Sequence, residues 1–164
     1  MNHFEIQYPV NAREREIKEI LLFITKGQSC QLISVPGAGR STVLRLLAYN
    51  DKIRSHHLGE KSTKYLFVYS NFAEMPSFET AELTKALFLA ILAGVREEGP
   101  NKESWTSLGK EIYGLFKEAL SLNDPLVLPQ YLKKAIEQLS NQEIIPILLF
   151  DRFSEFAEKM PDEF

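Results

Sequence analysis

The sequence predicts an α/β fold, a parallel sheet with helices on both faces. Three observations predict it. Three short apolar segments, 29–35, 64–72 and 143–151, read as buried strands. Stretches with apolar residues at helical spacing lie before the first segment and between each pair. Glycine and proline punctuate the junctions, most densely at Pro36-Gly37-Ala38-Gly39.

The elements follow in order. Residues 11–26 read as a helix, with Asn11 at the N-cap, Ile17, Ile20, Leu21 and Ile24 on one face, and Lys26-Gly27 ending it. The run Ser29-Cys30-Gln31-Leu32-Ile33-Ser34-Val35 is the first strand, with Cys30 as a small core residue. A helix resumes over 40–48, and the polar stretch 51–63 reads as a loop. Tyr65 to Tyr69 is β-branched and aromatic and gives the second strand, with Phe67, Tyr69 and Phe72 assigned to the core. Helices are expected over 79–96, 104–121 and 129–140, broken at Gly99-Pro100-Asn101 and Asn123-Asp124-Pro125. Trp105 is expected to anchor one helix on its neighbour. Ile144 to Phe150 is the third strand and ends in Asp151.

Composition narrows the function. The chain has 164 residues, 45% of them apolar and 25% charged, which suits one soluble domain without disulfides. A net charge of −3 argues against a surface that is basic throughout, as a general polyanion binder needs. Arg45, Lys52 and Arg54 are read as a solvated helix face, and His56 and His57 as solvated rather than metal-binding. There is one cysteine, no export signal at the N-terminus, and no apolar run long enough to span a bilayer, so a cytoplasmic protein without membrane contact is expected.

The segment 34–42 carries the chemistry. It approximates G-x-x-x-x-G-K-[ST] placed between a strand and a helix, a loop that cradles phosphates. Ser34 stands for the first glycine, Gly39 for the second, Arg40 for the lysine and Ser41 for the hydroxyl residue. Gly37 and Gly39 can take positive φ, and the amides of residues 37–42, Ala38 and Thr42 among them and directly after Pro36, can then turn inward as an anion nest. The following helix adds its positive end. Ser41 is placed to hold Mg²⁺ and Thr42 to bond a phosphate. The two departures matter, because arginine is longer and planar and does not replace lysine freely.

Such a loop needs a metal-holding acid on a neighbouring strand, and Asp151 supplies that pattern. Arg152 follows where many such proteins carry a glutamate that polarises water. Glu155, four residues beyond Asp151, is the candidate catalytic base.

Asn11-Ala12-Arg13-Glu14-Arg15-Glu16-Ile17 resembles the box that opens AAA+ and STAND ATPase modules, among them origin-recognition-like ATPases. Helix, phosphate loop and acid strand follow it in that family's order. The resemblance implies a three-layer P-loop NTPase fold with a parallel sheet. It implies ATP and Mg²⁺ as ligands, with Tyr8 to Arg13 lining the base pocket, although Ala12 stands where the family has glycine. Asp151 to Glu155 resembles the acid segment of NACHT-type members, with Ser154 in place of one acid.

The function this implies is an ATP-binding module of a larger ATPase, a nucleotide-dependent switch with weak or absent hydrolysis. Its partners would be downstream domains or other subunits, with nucleic acid reached only through domains outside this chain. The alternative is a degenerate loop scaffold that serves as a non-enzymatic protein-interaction module. A small-kinase reading is weaker, because no acceptor pocket or basic lid is found. Only thirteen residues follow Asp151, and three strands fall short of the five or so usual for a sheet. The whole of 1–164 is therefore expected to be the N-terminal portion of such a domain, incomplete at its C-terminus.

Overall fold

The structure, a computed structural model, describes residues 3–98, 103–122, 124 and 126–159. After a 3-10 turn at Phe4–Gln7 come helices α1 (Glu14–Thr25), α2 (Arg40–Tyr49) and α3 (Asp51–Leu58). A second 3-10 segment, Gly59–Lys64, leads into strand β1 (Tyr65–Asn71). A third, Phe72–Glu74, precedes α4 (Thr80–Glu98), α5 (Glu103–Ser121) and α6 (Leu128–Asn141). Strand β2 (Ile145–Asp151) and the short α7 (Phe153–Ala157) complete the described chain.

The two strands pair in parallel, from Tyr65 opposite Ile145 to Asn71 opposite Asp151. The sheet among the described residues has these two strands alone. The protein is mostly helical, and the expected three-layer P-loop NTPase sheet is not what it forms. The correction begins at 29–35. That run is irregular rather than a strand, and Cys30, Ile33 and Val35 are exposed. A β segment is held by hydrogen bonds to a neighbour, and this run gains none of the ladder bonds that join β1 to β2.

Helices cover both faces of the strand pair because its side chains alternate. Leu66 and Val68 of β1 face one core, built with Phe88, Ile91, Trp105, Ile112, Ala135 and Leu139 from α4, α5 and α6. Phe67 and Leu149 face the other, built with Ile17, Leu21, Val43, Leu47 and Ile53 from α1, α2 and α3. Trp105 is buried where α5 meets its neighbours, as a helix anchor should be.

Local chemistry sets two boundaries differently from expectation. Asn11 does not cap α1. A turn closes from the Ala12 amide to the Pro9 carbonyl, and Arg13 takes the N-cap position at φ 53°. Residues 51–58 are helical rather than a loop. Asn50 is fully buried and its Oδ1 accepts from the Ile53 amide, capping α3. Its Nδ2 donates to the carbonyls of Glu5 (2.8 Å) and Tyr8 (3.2 Å), which ties the N-terminal segment to the α2–α3 corner. Arg54 is buried too, not on a solvated face. It donates to the Leu47 and Ala48 carbonyls at the end of α2 and lies over the Phe67 ring. The expected break at 99–101 falls outside the described residues.

Candidate functional site

The glycine loop is built from two local devices. The Ala38 amide donates to the Val35 carbonyl at 3.2 Å across Pro36-Gly37. Proline presets the second position of this turn, and Gly37 at φ 82° supplies the left-handed third, the signature of a type II turn. Gly39 is left-handed as well, at φ 84°, and is the N-cap of α2. It has no side chain to cap the helix, and α2's first hydrogen bond runs from the Val43 amide to the Gly39 carbonyl. The amides of Arg40, Ser41 and Thr42 therefore have no partner within the helix. They point along the axis with the positive end of the helix dipole.

Arg13 closes over this loop. Its Nη2 donates to the Ala38 carbonyl at 2.9 Å, and its Nη1 meets Glu16 at 3.0 Å. A Cβ on Gly39 would come within 2.6 Å of Nη2, so the guanidinium occupies the space that a side chain would fill. Glu16 titrates below the ordinary carboxylate value, chiefly through a hydrogen bond from its own backbone, with Arg13 adding to it. Arg40 is exposed, and no ion pair holds it among the described residues. Ser41 and Thr42 are half-buried, and Ser34 bonds only its neighbour's carbonyl, that of Val35. The loop thus gathers the Arg13 guanidinium, held by Glu16 and the Ala38 carbonyl, the exposed Arg40 and three amides without a partner inside the helix.

Asp151 belongs to a second cluster. It is 7% exposed, on the face of β2 that looks toward α2, and its Oδ2 accepts from the Tyr69 phenol at 2.8 Å. Burial, and then this bond, push the Tyr69 phenol above its ordinary value. The Tyr69 ring stands edge-on to Tyr49 at 5.9 Å. Tyr49 in turn stacks on His3 at 3.7 Å, and His3 pairs with Glu97 at 3.0 Å. Tyr49 is the last residue of α2, eight residues beyond Ser41 and roughly 12 Å along the helix axis.

The structure therefore brings Arg13 together with Ala38 and Gly39, and Tyr69 with Asp151. Among the described residues no hydrogen bond or ion pair joins one set to the other. No group of three His, Cys, Asp or Glu side chains is placed to hold a metal ion, again among the described residues. The Glu155 side chain, the candidate base, lies outside the described residues. Arg152 sits at φ 57° as the N-cap of α7. A cavity of about 290 Å³ is lined by His3, Phe4, Ile6 and Gln7, just N-terminal of the stretch expected to line a base pocket. No helix among the described residues is long and apolar enough to cross a membrane.

Sequence reasoning missed two features. One is the phenol on Asp151, which its assignment to the core concealed. The other is a phenylalanine cluster at the carboxyl ends of the strands. Phe72 meets Phe150, Phe153 and Phe156 at 5.0–5.1 Å, and Phe78 meets Phe156 at 5.5 Å. The recurrence of phenylalanine at 150, 153 and 156, close to helical spacing, was the available signal. Compared with family profiles, with curated proteins and with solved structures, the chain matches none.

Proposed function

We propose that this chain is a nucleotide-binding module that holds the phosphates of ATP at loop 36–42. The observation that carries the reading is the pair of left-handed glycines set directly before α2, with Arg13 laid over them. Phosphate oxygens need converging donors: the space over Gly37 is open, the amides of 40–42 lack partners within the helix, and the group over Gly39 is itself a donor, the Arg13 guanidinium. Arg13 and Arg40 supply the positive charge. The likeness of residues 11–17 and 34–42 to AAA+ and STAND modules supports adenine as the base. The module serves as a binding element rather than a hydrolase. A base and a metal-holding acid would have to join the loop for turnover, and Asp151 is engaged elsewhere.

Calorimetric titration of ATP into the chain tests this. Saturable binding is expected, weakened at least tenfold in Arg40→Gln, whose exposed side chain has no ion pair to lose among the described residues. Absence of binding by the wild-type chain, or equal affinity in Arg40→Gln, would overturn the reading.

A further inference from the structure

The residues do not fit a cation shared between Ser41 and Asp151, and the misfit has a positive content. We infer that Asp151 is the buried acceptor of a tyrosine latch rather than a metal ligand, so that phosphate binding at loop 36–42 requires no divalent cation at Asp151. The second half rests on the nucleotide reading above; the first half does not.

Three observations converge. First, Asp151 is 7% exposed and its Oδ2 is taken by the Tyr69 phenol. A buried carboxylate is tolerated when a strong donor meets it, and a neutral phenol is such a donor. Magnesium keeps several of its waters and demands octahedral room, which a nearly enclosed side chain denies it. Second, Tyr69 is fixed from its other side. Its ring abuts Tyr49, Tyr49 stacks on His3, and His3 pairs with Glu97. One continuous contact chain thus links β2, β1, the end of α2, the N-terminal segment and α4. Asp151 terminates this chain, which gives its carboxylate a structural task. Third, among the described residues no hydrogen bond or ion pair joins Asp151 or Tyr69 to Arg13, Ala38 or Ser41. A cation shared by Ser41 and Asp151 must lie about 2 Å from an oxygen of each, and Asp151 Oδ2 is already given to the phenol.

The experiment has two arms. In the first, Mn²⁺ alone is titrated into the chain and into Asp151→Asn, and thermal melts are recorded for Tyr69→Phe, Asp151→Asn and the double variant. Asparagine keeps the size of the side chain and a neutral acceptor, so Asp151→Asn leaves the fold intact but weakens the bond from the phenol by removing the charge. We expect no Mn²⁺ site tighter than millimolar. Tyr69→Phe and Asp151→Asn should each lower Tm, and the double variant should fall less than the sum of the single shifts, because both weaken one contact. A micromolar Mn²⁺ site abolished by Asp151→Asn would overturn the latch assignment, and so would strictly additive Tm shifts. In the second arm, ATP is titrated in excess Mg²⁺ and in EDTA. Affinities within threefold of each other support cation-independent binding. A tenfold or greater loss in EDTA that vanishes in Asp151→Asn overturns it. If ATP binds under neither condition, the nucleotide reading fails while the first arm still decides the latch.

Discussion

Gly39 shows how much one missing carbon decides. Its φ of 84° is strained for any L side chain, and a Cβ there would collide with the guanidinium of Arg13. Gly39→Ala is expected to cost about 1–3 kcal/mol in a denaturant melt and to weaken ATP binding by displacing Arg13 from the Ala38 carbonyl. Tyr69 gives a second test, in pH. Its phenol is raised above the ordinary value of 10 by burial and by Asp151. A group whose folded value is raised contributes stability that is complete below its unfolded value and is lost as pH rises toward the folded one. Stability should therefore decline above pH 10, and Tyr69→Phe should flatten that decline. Equal slopes for the two proteins between pH 10 and 11 would refute the assignment. At this scale the sequence was informative about the loop glycines, whereas for Tyr69 it gave a core position and not the partner of its phenol. Positive φ follows from the residue type, whereas the phenol's partner lies 82 residues away and is set by strand register.

Among the elements, α3 depends most on one side chain. Asn50 caps it and also satisfies two carbonyls of the N-terminal segment from a fully buried position. Asn50→Ala should destabilise the chain by about 2–4 kcal/mol, combining a lost cap with the loss of two bonds to the N-terminal segment, of which the Glu5 carbonyl keeps its bond from the Tyr8 amide. A loss below about 0.5 kcal/mol by chemical denaturation would show that the corner is held otherwise. This element was illegible in the sequence for a physical reason. Its eight residues are mostly polar, and only Ile53 and Arg54 are buried, so no apolar period marks it. The long helices were legible because their apolar faces repeat. Observed α4 and α6 fall within two residues of the expected 79–96 and 129–140. Segment 29–35 failed in the opposite sense. Its composition suits a strand, but strand identity requires a partner, and composition does not provide one.

For the molecule as a whole, two helical layers on a two-stranded parallel ribbon replace the larger sheet that the motif order implied. The order of the glycine loop and Asp151 is plain from the sequence, but order does not fix distance. One end of α2 carries the glycine loop, the Tyr49 ring at the other meets Tyr69, and among the described residues no hydrogen bond or ion pair joins the loop to Asp151. What the structure retains is two left-handed glycines, the first amides of α2, Arg13 and Arg40, which we propose as a phosphate cradle. The claim that this cradle receives the phosphates of ATP is tested most directly by the backbone amide spectrum of the labelled chain during an ATP titration. The account predicts that the largest shifts fall on the amides of 37–42 and that those of Asn71 and Asp151 move little. Shifts spread evenly over the chain, or centred away from 37–42, would contradict it.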